Sequence, residues 1–294
     1  MRTPIYIVST TVGLLMATSA YGQSNEQTES GLLVLNPSAY GALSMTGNSH
    51  IEIPAKIVYV NSSSCRAVRT TGTAILDATS LYVVGSASFG GQSECTGTVV
   101  TGAPGTYDPL GSTVFPVENE SDSFQFYEPD GSGQVTLSPG HYPYGIQITG
   151  NTEVVFSPGV FVIGGNGLVV TSGAVSGEGV CLVVNSGEVR LAGSSSMVLT
   201  PPEDGAMAGI VLAQPAWNSS PMHLAGGSEF SLTGTIYAPS AELTMVGNST
   251  IQGEGPQMGD LVIADMVDLR GTSLIRIGRE NSTIVSLPSL PLYD

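Results

Sequence analysis

Between residues 145 and 170 the chain reads GIQITGNTEVVFSPGVFVIGGNGLVV, a series of short apolar runs each interrupted within a few positions by Gly, Pro or Asn. This punctuation constrains the fold more than any other feature. Glycine adopts positive φ without steric cost and asparagine tolerates it, so TGN, SPG, GGNG, SGEG, NSG, AGSSS, AGGS and VGNS are turn signals. Between the turns the side chains alternate. Ile146 and Ile148 oppose Gln147 and Thr149, Leu168 and Val170 repeat the phase, and Val189 and Leu191 flank Arg190. Phe230, Leu232, Ile236 and Ala238 alternate with Ser231, Thr233, Thr235 and Tyr237, and Leu243 and Met245 with Glu242 and Thr244. Runs of about four to nine residues with period two are strands with one buried face. Apart from the N-terminal apolar run, no stretch of a dozen residues carries helical periodicity, so the chain is expected to be all-β.

Strand-plus-turn units recur every 7–10 residues, and two or three of them make a coil of about twenty. The expected architecture is a right-handed parallel β-helix (β-solenoid), with a β-sandwich as the alternative. The connections are too short and uniform for Greek-key crossovers. The inward positions are repetitively Val, Ile and Leu, as stacked coils require, with few large aromatic anchors.

The chain opens with Arg2, an apolar run from Ile5 to Ala17 and the small-residue stretch Thr18-Ser19-Ala20-Tyr21-Gly22, the order of a secretory signal peptide. The apolar run is shorter than the roughly 20 residues that span a bilayer. Residues 1–22 are therefore read as a cleaved leader, leaving no stable membrane insertion. Charged residues make up only 11%, with 24 acidic against 8 basic and a net charge of −16. Such a chain repels nucleic acid and anionic lipid, having almost nothing to neutralise phosphate. Its polar surface comes from Ser, Thr, Asn and Gly.

Residues 23–102 read as an N-terminal solenoid region and 135–278 as a C-terminal one. Residues 103–134, with four prolines and six carboxylates, read as an acidic connecting segment that packs on the solenoid flank through Phe124, Phe126 and Tyr127. Residues 279–294 read as an extended tail. That tail and the residues before Gly31 are candidate caps for the solenoid ends, which otherwise polymerise.

Three stretches follow one another in a distinctive order: LVLNPSAYGALSMTGNSHIEIPAKIVYVNSSSCRAV, GAPGTYDPLG, and LSPGHYPYGIQITGNTEVVFSPGVFVIGGNGLVVTSGAVSGEGV. AGIVLAQPA and GGSEFSLTGTIYAPSAELTMVGNS complete the set. Together, over most of residues 31–277, they resemble the extracellular β-rich C-terminal region of TadG-like proteins of the tight-adherence (Flp) pilus system and related stand-alone secreted bacterial proteins. The resemblance implies a β-helical protein, secreted or at the envelope surface of a bacterium, associated with pilus assembly or attachment. It brings no catalytic residues.

Chemistry is sparse in the residues themselves. The arginines Arg66, Arg69, Arg190, Arg270, Arg276 and Arg279 are dispersed, whereas a polysaccharide lyase needs a base beside a calcium-binding acid cluster. The densest acids on expected strands are Asp260, Asp265 and Asp268 in GDLVIADMVDLRG, read as solvated carboxylates with Asp268 near Arg270. Glu203 and Asp204 sit in a turn. No GxSxG occurs, and His50, His141 and His223 stand apart. EPDGSGQ lacks the spaced acids of a calcium loop. Trp217, in AQPAWNSSP, is either a sugar-stacking indole or a cover over a solenoid edge. Cys65 and Cys95 flank loop-like segments and are the candidate disulfide, while Cys181 in GVCLVV is expected to be a buried thiol.

No catalytic residue, metal ligand or cofactor is expected. The leading reading is a secreted, non-enzymatic β-solenoid serving as a cell-surface structural or adhesive element, its partners glycans, cell-surface components or copies of itself. The alternatives are a polysaccharide-active lyase or hydrolase with a site on one solenoid face, and an ice-binding solenoid, for which Thr233 and Thr235 are a sparse threonine array.

Overall fold

The computed structural model describes residues 30–117, 132–253 and 261–277. The expected leader, the tail from 279, Phe124, Phe126, Tyr127 and Asp260 lie outside the described residues. Among the described residues every regular element is a strand, all strand pairings are parallel, and all strands belong to one wound sheet. The chain is a β-solenoid of three faces, here A, B and C, visited in that order on each turn.

The layers do not stack in sequence order. On face A the ladder begins at Gly140–Tyr142 and passes through Gly159–Ile163, Val180–Val184 and Ile210–Ala213. It continues through 235–238 to 262–264. The next rung is Ser30–Val34, which pairs with 262–264 on one side and with 57–60 on the other. Residues 80–83 and Thr98–Thr101 finish the ladder. The described chain thus enters in the middle of the stack and winds to one end. It then crosses to the far end and winds back until its last coil meets its first.

The regions 23–102 and 135–278 are therefore two segments of one continuous stack. The expected tail lies outside the described residues; the last described strand, Leu274–Ile277, pairs with Thr250–Gly253 on one side and with His50–Glu52 on the other. Parallel strands lie about 4.8 Å apart, so the face-A path from Thr101 back to Gly140 covers about 43 Å. The 30 residues 102–131, which extended would span about 100 Å, are long enough to make it about twice over.

Two side-chain ties join the last coil to the first. Asn36 Nδ2 donates to Asp265 Oδ2 at 2.9 Å, and Arg276 Nε donates to Glu52 Oε2 at 2.6 Å. Backbone continuity does the rest: Asn48 N–H donates to Gly271 O at 2.7 Å and His50 N–H to Ser273 O at 2.9 Å.

The interior is one column of small aliphatic side chains. Leu43, Met45, Ile51, Leu76, Val189, Leu224 and Leu269 are all fully buried. The buried aromatics of this column lie near the Gly140 end, where Phe156 meets Phe161 edge-on at 4.7 Å and Tyr142 stacks on Phe161 at 5.9 Å. That end is closed: Ile146 and Ile148, inward on the end layer, are buried.

The corner between faces B and C is built from a stacked Gly-x-Ser motif. Gly193, Gly226, Gly247, Gly271, Gly47, Gly72 and Gly91 follow one another along the axis. Two constraints coincide at Gly72. Its φ is +84°, and a Cβ there would lie 2.5 Å from the carbonyl oxygen of Gly47, so only glycine lets the layers approach. Ser195, Ser228, Ser249, Ser273 and Ser49 follow on the inside, small enough to close the turn.

Candidate functional site

Residues 103–117 form a strap that runs across the outside of face A. Tyr59 Oη donates to Pro104 O, and Asn61 grips Thr106 twice, donating from Nδ2 to its carbonyl at 2.7 Å and accepting its N–H at 2.8 Å. Further along, Tyr237 Oη donates to Asp108 Oδ2 at 2.7 Å, Phe115 stacks on the Tyr237 ring at 5.2 Å, and Asn185 Nδ2 donates to Pro116 O at 3.1 Å. Under the strap lies a second core of outward-facing residues, with Leu33, Tyr59, Cys181, Val183, Tyr237 and Ile263 meeting Leu110 and Phe115. The strap spans the joint between the last coil and the first.

The acidic segment does pack on the solenoid flank, and among the described residues it does so through Ala103, Leu110 and Phe115. Tyr237, read from alternation as an outward residue, is buried because the strap covers it. Sequence alternation misses this second core. A signal for it exists: GLLV, KIVYV, LYVV, GVFVI, VCLVV, IVLA, TIYA and VIA, the face-A strands, are apolar in both phases, as strands buried on both sides are.

Burial, and then the hydrogen bond and charge of Asp108, hold the Tyr237 phenol well above its usual pKa of 10.0. The folded protein keeps this proton where the unfolded chain loses it, so the contribution is complete below about pH 10 and declines as the pH rises further. Tyr142, pushed up to about 12 by burial, adds to the same limb. Urea unfolding between about pH 9 and 12 should show Tyr237→Phe losing stability less steeply than the native protein. Parallel limbs would mean that the phenol does not hold the strap.

Two surfaces outside the strap are shaped for contact. The first is the B/C corner, where the exposed middle residues of the stacked turn units are Ser194, Gly227, Asn248, Thr272, Asn48, Thr73 and Gln92, with Ala74 replacing the serine in the Gly72 unit. Thr272 Oγ1 donates to Asn248 Oδ1, and Thr73 Oγ1 donates to Asn48 Oδ1 at 3.0 Å. The second is an open cleft of about 650 Å³ near the Gly140 end. It exists because Gly133, Gly150, Gly173 and Ala174 bring little side-chain volume to that corner. Gln134, Glu153, Ser172, Ser194 and Ser196 supply its polar lining. Glu153 is the one carboxylate among the lining residues, whereas glycosidic cleavage takes a pair.

The residues singled out from sequence are dispersed by the fold. Asp265 is bound to Asn36, and Asp268 is mostly buried and held by Arg270 through Nε at 2.8 Å. Both carboxylates are thus engaged within the stack. His50 lies 3.6 Å from Glu52 on face C, His141 is buried on face A near the closed end, and His223 faces outward on face B between Arg190 and Thr244. Glu203 and Asp204 are exposed in the loop before Ile210. Of EPDGSGQ, only 132–134 is described, and it enters the first face-C strand. Trp217 is exposed at the A/B corner, in the turn after Ile210–Ala213. Thr233 and Thr235 fall on either side of the turn at Gly234, and Thr235 is buried, so they do not form a flat array.

The candidate disulfide is not formed. Cys65 is an exposed free thiol in the A/B turn, and Cys95 is a half-buried free thiol on face C that packs against the core. Adjacent strand segments of the sequence are carried to different faces, which separates the two. Cys181 is buried as expected, and burial pushes its thiol up to about 12.

Among the described residues no group of three or more His, Cys, Asp or Glu is placed to hold a metal ion, and no helix is long and apolar enough to cross a membrane. No family model, curated protein or solved structure matches the chain.

Proposed function

We propose that the protein is an exported, non-enzymatic β-solenoid that serves as a structural or adhesive element at a bacterial cell surface, in the manner its resemblance to TadG-like proteins implies. The observation that carries this reading is the B/C corner. Uncharged hydroxyl and amide side chains occur there in six of the seven stacked units, Gly227 being the exception, at the backbone spacing of about 4.8 Å. Each contact is weak, but a repetitive partner such as a glycan chain engages many at once and gains avidity from their number. The low charge of the corner suits neutral polymers in particular.

Binding of the purified protein to isolated bacterial surface polysaccharides tests this. Changing Asn48, Asn248 and Thr272 together to Asp should weaken retention at least about tenfold with the fold intact. Retention unchanged by the triple substitution would remove the corner as the contact surface.

The cleft beside Glu153 favours a second reading, a polysaccharide-active enzyme. Turnover of any acidic or neutral glycan, with or without calcium, that is lost in Glu153→Gln would replace the first reading with this one.

A further inference from the structure

The two ends of the solenoid differ, and the difference bears on assembly. At the Gly140 end the inward side chains are covered. At the other end, formed by Ala87–Phe89, Glu94–Cys95 and Thr98–Thr101, they are open. Phe89 is 37% and Val99 38% exposed, although both point along the interior column, in register with Thr70 and Leu81. Thr101, in register with inward Val83, is exposed as well, and Ala87 and Cys95 are half-buried. Among the described residues, Thr98–Thr101 pairs only with 80–83, so its other edge presents unpaired backbone N–H and C=O groups.

Natural edge strands are blunted by lysine, proline, bulges or a covering segment. The sequence TVVT has no charge and no proline. Residues 87–102 carry a single charged group, Glu94, in a chain of net charge −16. This is therefore a surface on which two copies of an otherwise self-repelling protein approach without a charge penalty.

We propose that this open end is a dimerisation surface whose partner is the same end of a second copy of this chain. At the Gly140 end the inward Ile146 and Ile148 are covered, so a contact that joins two open interiors is isologous and stops at two rather than growing a filament. The longest edge, Thr98–Thr101, sets the two-fold axis, which makes it antiparallel to its counterpart with Val99 facing Val99. That axis exchanges faces B and C, so Glu94 of one copy lies over the uncharged strand Ala87–Phe89 of the other. The shared interior then runs unbroken through both copies. The inference goes beyond the adhesive reading and does not depend on it.

Sedimentation equilibrium of the full chain from about 1 μM to 1 mM should show a concentration-dependent rise to twice the chain mass. Val99→Lys should raise the dissociation constant at least about tenfold. Thr98→Lys, whose side chain is exposed on the outer surface of the same edge, should also weaken it and decides the matter if the first variant fails to fold. Val198→Lys, on exposed face C far from this end, should leave it unchanged. A monomer throughout the range, a pair that persists in the edge variants, or masses that climb past two would each overturn the proposal.

Discussion

Leu43→Ala is expected to lower the free energy of unfolding by about 3 kcal/mol, whereas Val99→Ala costs about 1 kcal/mol or less. Leu43 lies early in the described chain, where an ordinary solenoid would have its first, frayed coil. Here it is fully buried, with Val267 of the last coil on one side and Val68 on the other. Removing most of its side chain leaves a cavity in the middle of the stack, at the joint that closes the chain on itself. Val99 sits in the outermost layer and is 38% exposed, so solvent fills what its truncation vacates. Urea unfolding of both variants checks the layer order directly. Equal losses, or a larger one for Val99, would be incompatible with a first coil inserted between the last and the second.

Loosening the strap should uncover a thiol that is otherwise silent. Cys181 is fully buried beneath residues 103–117, and a pKa pushed up to about 12 leaves about one thiolate in ten thousand at pH 8. In the native protein a thiol reagent should modify exposed Cys65 first and half-buried Cys95 more slowly. Cys181 should follow only on the time scale of unfolding. Phe115→Ala removes the ring stacked on Tyr237 and should speed Cys181 modification at least about tenfold while the far-ultraviolet circular dichroism stays native. Tyr107→Ala, on the strap but 83% exposed, should not change the rate. Peptide mapping by mass spectrometry assigns each site. A Cys181 that reacts as fast as Cys65 in the native protein would mean that the strap is not a lasting cover.

The functional surfaces were unevenly legible. The Gly-x-Ser corner is written in the sequence as AGSS, AGGS, VGNS, RGTS and TGNS, since each unit needs glycine at positive φ and a small residue after the turn. The cleft was not legible, because it depends on which layers place Gly133, Gly150 and Gly173 side by side. Asp265 and Asp268 stood out as an acid concentration, yet the fold uses Asp265 to tie the first coil to the last and Asp268 to hold Arg270. Tyr237 and Cys181 were assigned to strands correctly, but alternation says nothing about what lies on the outer side of a sheet.

The local pattern by itself determined that this protein is all-β and favoured a wound parallel sheet over a sandwich, because period-two runs broken at short, uniform intervals by residues that accept positive φ suit stacked coils. It also determined the turn chemistry of the repeated corner. Only the tertiary structure decided the order of the layers. Coils filled with Val, Ile and Leu present nearly identical edges, so any coil fits on any other as far as apolar burial is concerned. What selects the order is a few long-range groups, Asn36 with Asp265, Glu52 with Arg276, and the strap that crosses the joint. Their partners lie 45 to 229 residues away, where no local pattern reaches.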